Sequence, residues 1–257
     1  MSSAKLKMND IAILHSENFL KELSVLQSSS IVLWKKNRNL YNFKHLPKTA
    51  IISVSKNCVQ RNVRFFSKKI KGIVGCNYII SKNVIFCSEF GSGSPAIIGI
   101  LEELRELGVE NFIFAGPAGT ISKTVELYST FIVDNSFSTA GCTSFYSNKD
   151  NFEPSNSLWF QNLHRQLDLP NTICWSTDAP FRETKSLINH FVEKMVTHVD
   201  MECAAIYAFA KFYNVNALCC IVSADDLSTG MWTPPQNAAQ VNLNLKQLIS
   251  KLIKIVK

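Results

Sequence analysis

Short β-branched apolar runs alternate with helical segments from Thr49 to the end of the chain, and this alternation constrains the fold more than any other feature. Apolar runs of roughly four to eight residues between turn signals are typical of buried strands. Chains in which strands and helices alternate form a mostly parallel or mixed sheet that helices cover. The sequence therefore predicts an α/β domain over residues 46–257, preceded by an N-terminal helix and extension over residues 1–45.

Residue type and spacing place the individual elements. The predicted strands are Thr49–Val54, Ile73–Ile80, Val84–Ser88, Asn111–Ala115, Thr130–Val133, Thr172–Trp175 and Ala217–Ser223. The predicted helices are Ile11–Leu26, Asn57–Ile70, Pro95–Leu107, Ser157–Leu167, Lys185–Val196, Asp200–Tyr213 and Gln236–Val256. Ligands of α/β sheets bind at the carboxyl ends of strands, so we expect functional residues in the segments that directly follow strands.

Composition excludes several classes of protein. Apolar residues make up 46% of the 257 residues and charged residues 18%, the opposite of the balance in a disordered chain. Every apolar stretch is far shorter than the roughly 20 residues of a membrane-spanning helix. The start of the sequence is polar and is not followed by the apolar core of a signal peptide. The net charge is +7, and the basic residues are scattered apart from short clusters at Lys35–Arg38 and Lys68–Lys71. This distribution favours a solvated basic face over a dedicated nucleic-acid-binding surface. We therefore expect a cytoplasmic protein without a membrane or nucleic-acid partner.

The cysteines and histidines do not form a metal-binding pattern. The eight cysteines include no CxxC pair and lie mostly within apolar runs, where a free thiol behaves as a small hydrophobic group. The five histidines are dispersed. We therefore expect eight free thiols, as is usual in a reducing compartment, and no metal.

A glycine-rich turn, Gly91–Gly93, follows the predicted strand at 84–88. Ser94 is predicted as the N-cap of the next helix and Pro95 as its first residue. Such a turn at a helix N-terminus can bind an anion, although an ordinary tight connection has the same sequence. A second glycine pair, Gly116 and Gly119, is predicted as a turn after the next strand. Two such turns on neighbouring strands favour a shared ligand cleft.

Two segments near the C-terminus carry carboxylates that could take part in chemistry. Glu202 begins a helix that is apolar on nearly every side, so its carboxylate is predicted to be buried at the positive end of that helix. It either complements the helix dipole or accepts hydrogen bonds from ligand hydroxyls. Asp225 and Asp226 follow the last predicted strand, where they either cap a turn or carry out acid–base chemistry.

An aromatic and a cationic side chain are adjacent in the loop after the strand at 172–175. Phe181 and Arg182 could stack on and hydrogen-bond a planar base. The alternative is a surface ion pair between Arg182 and either Glu183 or Asp178.

Taken in order, these segments resemble the nucleoside phosphorylase family, especially its uridine-phosphorylase-like members. The resemblance runs from Thr49 to Pro235 and rests on four segments. They are the turn at 91–95 with its helix, Val199–Ala205, Ser223–Leu227 and Ser176–Thr184. It implies a single domain with a mixed, partly closed sheet flanked by helices. It also implies reversible cleavage of a nucleoside by phosphate, giving ribose 1-phosphate and a free base, with phosphate as co-substrate and no cofactor.

The resemblance also implies roles for individual residues. Glu202 would bind the ribose hydroxyls, with Met201 packed on the sugar, and Asp225 would be the catalytic residue that protonates or hydrogen-bonds the leaving base. The base would lie against Phe181 and Arg182. Gly91, Ser92 and, more loosely, Arg61 would contact phosphate. The family's usual assembly implies a homo-oligomer, either a dimer or a hexamer.

The sequence departs from the family pattern at its anion site. Family members carry an Arg and a Ser or Thr where this chain has Phe114 and Pro117, and Ala224 replaces a Ser before the aspartate. Proline offers no backbone donor. Two alternatives to phosphorolysis therefore stay open, a nucleosidase that uses water and a non-catalytic nucleoside-binding or storage protein. Purine and pyrimidine nucleosides also both remain open as substrates.

Overall fold

The computed structural model describes residues 18–56 and 58–257, apart from the side chains of residues 61 and 62. Within these residues ten strands form one sheet. They are β1 Thr49–Ser53, β2 Lys68–Ile70, β3 Cys76–Ile79, β4 Val84–Ser88, β5 Asn111–Thr120, β6 Thr130–Ser138, β7 Asn151–Phe152, β8 Asn171–Ser176, β9 His198–Asp200 and β10 Asn216–Asp226. The α-helices are α1 Ser28–Asn37, α2 Arg61–Phe65, α3 Ser94–Glu106, α4 Leu158–Leu167, α5 Lys185–Glu193, α6 Cys203–Tyr213 and α7 Ala238–Val256. Short 3₁₀ helices lie at Phe19–Lys21, Gly141–Phe145 and Pro180–Arg182.

Strand β5 is the centre of the sheet. It pairs in parallel with β1 and β10 and antiparallel with β9. Strand β10 also pairs with β6, and β6 leads through β8 and β9 back to β5, so these five strands form a closed ring. Strands β1, β4, β3 and β2 extend from the ring as an open arm. The predicted mixed, partly closed sheet is confirmed.

Alternate residues of β5 enter two cores on opposite faces of the sheet. Phe112 and Phe114 pack with α3 and α6, whereas Ile113 and Ala115 pack with α7. This alternation follows from the two-residue repeat of a strand. Helix α6 is buried from Cys203 to Ala210, as its apolar sequence predicts. In the described part of the chain, every helix is too short or too polar to span a membrane.

Several predicted elements differ from the structure. The helix predicted over Asn57–Ile70 is wrong, because within residues 58–70 only Arg61–Phe65 is helical and residues 68–70 pair with β3. Of the helix predicted over Ile11–Leu26, residues 11–17 lie outside the described residues and the rest contains only a 3₁₀ turn. Helix α1 was not predicted. It is held on α3 by an ion pair of 2.6 Å from Lys35 Nζ to Glu103 Oε1, a tertiary contact with no local sequence signal.

Candidate active site

Glu202 lies between β9 and α6, where it is the N-cap residue of the helix. Its side chain is buried, with 3% of the residue exposed. The backbone N–H of Gly93 donates a hydrogen bond of 2.6 Å to Glu202 Oε1. This bond joins the glycine-rich turn before α3 to the start of α6, two segments more than 100 residues apart in sequence.

Asp200, the last residue of β9, supplies the hydrogen bonds that the start of α6 needs. Its Oδ2 accepts from the backbone N–H groups of Glu202 at 3.0 Å and of Cys203 at 2.7 Å. Ser176 Oγ donates to Asp200 Oδ1 at 2.5 Å and accepts from the N–H of Ala204 at 2.9 Å. Because Asp200 and Ser176 satisfy the first N–H groups of the helix, the Glu202 carboxylate is not needed as its cap. The sequence pattern predicts no role at the site for either capping residue.

Burial raises the pKa of Glu202 to about 7, and the neighbouring charge of Asp200 adds to the increase. The hydrogen bond from Gly93 acts in the opposite direction because it stabilises the ionised form. A carboxyl group with this pKa is half-ionised near neutral pH. When ionised, it accepts hydrogen bonds without donating any, which suits it to bind ligand hydroxyls.

The turn before α3 lies against the residues that precede α6. Gly91 and Gly93 have φ values of +110° and +90°, a region that side chains other than glycine's rarely adopt. Helix α3 begins at Ser94 with Gly93 as N-cap, so the prediction of Ser94 as the cap is wrong. Ser94 Oγ instead donates to the carbonyl of Met201 at 2.9 Å. Gly91 and Ser92 are exposed beside this junction.

Asp225 lies at the end of β10, where the β10–β5 register shifts between Ser223 and Asp226. Trp232 Nε1 donates to Asp225 Oδ2 at 2.6 Å. On the other side, a Cβ atom added to Gly119 of β5 would lie 3.3 Å from Asp225 Oδ1. The same Cβ atom would lie 2.8 Å from Leu227 Cδ1, so the absence of a side chain at Gly119 leaves space for Leu227 as well as for the Asp225 carboxylate.

The loop after β8 is tied to the same region by its backbone. The N–H of Thr177 donates to the carbonyl of Asp200 at 2.9 Å, and Asp178 Oδ2 accepts from the N–H of Gly141 at 2.9 Å. These contacts hold the loop that leads to the 3₁₀ turn at Pro180–Arg182.

The 3₁₀ turn leaves both predicted base-binding residues at the surface. Phe181 is 99% exposed, and Arg182 is exposed as well. Among the described residues, Arg182 forms no ion pair with Glu183 or Asp178, the alternative that the sequence left open. Burial raises the pKa of Glu183 to about 7, and the charge of Asp225 adds to the increase. The Glu183 carboxyl group therefore lies near Asp225 at this end of the sheet.

The second glycine pair does not form a turn. Strand β5 continues through it to Thr120 and pairs with β10, so the prediction of a turn after Ala115 is wrong. Phe114 is buried in the core, and a Cβ atom on Gly116 would lie 2.6 Å from the Phe114 ring. The ring covers Gly116, and no side-chain donor is available at 114. Arg61 begins α2, and its predicted phosphate contact stays a prediction.

A buried histidine supports the strand ends below Asp225. His198 Nε2 lies 2.7 Å from Ser223 Oγ, and Nδ1 lies 2.7 Å from Thr172 Oγ1 and 3.0 Å from Thr197 Oγ1. The Phe131 ring lies 4.8 Å from the imidazole. Burial lowers the pKa of His198 to about 4, so the ring is neutral at neutral pH. Its strand, β9, was not predicted, because the helix was expected to begin at residue 200.

Potential metal ligands are dispersed in the structure too. No group of three or more His, Cys, Asp or Glu side chains within residues 18–56 and 58–257 is arranged to hold a metal ion. All eight cysteines are free thiols.

The fold thus collects the Gly91–Gly93 turn, Met201, Glu202 and Asp225 around the ends of adjoining strands. A model of the phosphorylase superfamily matches residues 56–254. The chain belongs to the phosphorylase superfamily. The resemblance that the motifs predicted is therefore confirmed at the level of the superfamily, together with its fold.

Relatives within the superfamily are distant. The DeoD-type purine nucleoside phosphorylase of Brevibacillus brevis is 24% identical over 170 residues, which cover 63% of this chain and 72% of that protein. The DeoD-type purine nucleoside phosphorylase of Bacillus cereus strain ZK / E33L is 24% identical over 168 residues, with the same coverage. An uncharacterized protein, R802, of Acanthamoeba polyphaga mimivirus is 26% identical over 176 residues, covering 63% of this chain and 68% of the relative.

Proposed function

We propose that this chain catalyses the reversible phosphorolysis of nucleosides, giving ribose 1-phosphate and a free base. The observation that carries this proposal is the buried Glu202 carboxylate, held by Gly93 and not needed as a helix cap. Membership in the phosphorylase superfamily and the names of its bacterial relatives support the same reaction.

Glu202 is proposed to accept hydrogen bonds from two ribose hydroxyls. Its Oε1 already accepts from Gly93, and each carboxylate oxygen can accept more than one bond. Met201 would pack on the sugar, since its Cε lies 3.5 Å from the position of a Cβ atom on Gly93. Ionised Glu202 would also stabilise the positive charge that the sugar develops as its glycosidic bond breaks.

Asp225 is proposed as the general acid. A phosphate oxygen forms a bond to the anomeric carbon while the bond from that carbon to the base nitrogen breaks. The departing nitrogen takes the proton of Asp225, and Asp225 regains a proton from the phosphate that has reacted. General acid catalysis of this kind contributes roughly 10²–10⁴-fold to the rate. Phe181 and Arg182 are proposed to face the base, and Gly91, Ser92 and Arg61 to contact the phosphate.

Hydrolysis is the second candidate function, and β5 provides the observation that favours it. Phe114 is buried over Gly116, and Pro117 has no N–H, so this stretch offers fewer donors to an anion than a phosphate site requires. A water molecule in place of phosphate would give free ribose.

A panel of purine and pyrimidine nucleosides, assayed with and without phosphate, tests these proposals. Base release that requires phosphate and yields an equal amount of ribose 1-phosphate supports phosphorolysis. Release that is independent of phosphate and yields ribose identifies a nucleosidase. Nucleoside binding without release by any substrate identifies a non-catalytic protein. The homo-oligomer implied by the resemblance remains a prediction, which sedimentation analysis can check.

A further inference from the structure

A short loop follows Asp225 and is closed at its base. Asp226 and Thr233 exchange two backbone hydrogen bonds, of 3.0 and 2.7 Å. Within the loop, Asp226 Oδ1 accepts from the N–H of Ser228 at 2.7 Å, and the N–H of Gly230 donates to the carbonyl of Leu227 at 2.9 Å. The loop therefore has a defined shape, and its last residue before the closure is Trp232.

Trp232 is oriented by a polar contact and not by burial. Its indole is 64% exposed, so packing alone does not fix the ring. Its Nε1–H donates to Asp225 Oδ2 at 2.6 Å, across seven residues. Indole has one hydrogen-bond donor and no acceptor, so the contact is specific for an acceptor oxygen. The bond is short for an N–H donor, and it leaves the second oxygen of the carboxyl group able to carry a proton.

The two oxygens of Asp225 are in different surroundings as a result. Oδ2 accepts the indole N–H, whereas Oδ1 accepts no hydrogen bond from the residues that the structure describes. A carboxylate on a strand end can otherwise rotate and exchange its oxygens. The hydrogen bond selects one rotational state and leaves one oxygen for a ligand.

We propose that Trp232 is a positioning residue for Asp225, and that Oδ1 is the oxygen that serves the leaving base. This inference rests on the proposed function, because it assigns Trp232 a part in the same reaction. The indole N–H holds Oδ2 and thereby fixes the direction in which the proton on Oδ1 is delivered. Trp232 does not itself exchange a proton with the substrate.

The test replaces Trp232 by Phe, which keeps an aromatic ring and removes the N–H donor. Trp34→Phe is the matched control, since Trp34 is also exposed, at 49%, and lies on α1. For Trp232→Phe we expect kcat to fall about tenfold with KM changed less than about twofold, because the lost bond acts on the acid and not on substrate binding. Trp34→Phe should leave both constants unchanged. Both variants should keep the thermal midpoint of the wild type.

A second measurement does not depend on turnover. In protein labelled with ¹⁵N-tryptophan, the Trp232 indole N–H resonance, assigned by its loss in Trp232→Phe, should move upfield in Asp225→Asn. The inference is overturned, while the proposed function stands, by either of two results. One is an unchanged kcat in Trp232→Phe, and the other is a Trp232 indole N–H resonance that does not move in Asp225→Asn. A wild-type protein that cleaves no nucleoside overturns both the proposed function and the inference.

Discussion

Glu202→Gln should separate the catalytic and the structural consequences of one buried carboxylate. The amide is nearly isosteric, and its oxygen can still accept the 2.6 Å hydrogen bond from Gly93. Asp200 and Ser176 continue to cap α6. The variant should therefore fold like the wild type. What it loses is the negative charge and one of the two acceptor oxygens that are proposed to bind the ribose hydroxyls.

The catalytic loss follows from the hydrogen bonds that the charge would make. A hydrogen bond to a charged group contributes about 1.5–3 kcal/mol, so two ribose hydroxyls account for roughly 3–6 kcal/mol. Since each 1.36 kcal/mol corresponds to a tenfold change, kcat/KM should fall by about 10²–10⁴-fold. Only 3% of Glu202 is exposed, so solvent screening does not reduce this range appreciably.

The stability of the same variant should change in the opposite direction. The folded-state pKa of Glu202, about 7, lies above its ordinary value of 4.5. The contribution of the protonated Glu202 carboxyl group to the free energy of unfolding is therefore fully present below pH 4.5, and it is lost as the pH rises through about 7. Glutamine cannot ionise, so Glu202→Gln avoids this loss. At pH 8 it should be more stable than the wild type, by an amount on the order of 3 kcal/mol at most.

Two assays check this prediction. Steady-state kinetics with a cleaved nucleoside measures kcat/KM, and urea unfolding at pH 5 and pH 8 measures the free energy of unfolding. Glu193→Gln, an exposed position at the end of α5, is the control and should change neither quantity. Unchanged kcat/KM in Glu202→Gln would refute the ribose-binding role. If Glu202→Gln differs in unfolding free energy from the wild type by the same amount at pH 5 and pH 8, then ionisation of Glu202 is not the cause of the difference.

Three further predictions concern the surroundings of the site. Gly119→Ala places a Cβ atom 2.8 Å from Leu227 Cδ1 and 3.3 Å from Asp225 Oδ1, so Leu227 has to shift beside Asp225 and nucleoside cleavage should slow, with little change in the circular dichroism spectrum. The folded-state pKa of His198 is lowered from 6.5 to about 4, so its contribution to stability is lost as the pH falls through that interval. His198→Gln should show a smaller drop in unfolding free energy between pH 7 and pH 5, measured in urea. The double variant Phe114→Arg with Pro117→Thr should bind phosphate more tightly than the wild type, as measured by calorimetry. Its thermal midpoint should be lower, because Phe114 is buried. A folded double variant whose phosphate affinity does not improve would refute the placement of the anion site beside β5.

The sequence by itself determined the elements whose signal is local. The apolar run at 84–88 and the helix from residue 94 that ends before Gly108 follow from residue type, spacing and a left-handed glycine. The burial of Glu202 follows from the apolar sequence of α6, because a helix without a polar face has to be enclosed. Short motifs in a fixed order were also sufficient to identify the superfamily. None of these inferences required knowledge of which strands are neighbours.

Only the tertiary structure decided which groups meet at the site. The hydrogen bond from Gly93 to Glu202 joins segments more than 100 residues apart. Gly119 and Asp225, which lie side by side, are also more than 100 residues apart in sequence. The contact between Trp232 and Asp225 depends on how the loop closes. The glycines of β5 have the local sequence of a turn, but pairing with β10 satisfies their backbone groups and keeps the segment extended. Residues 68–70 likewise form a strand because the next strand, β3, pairs with them, and the strand-to-strand backbone hydrogen bonds outweigh the helix preference of the segment.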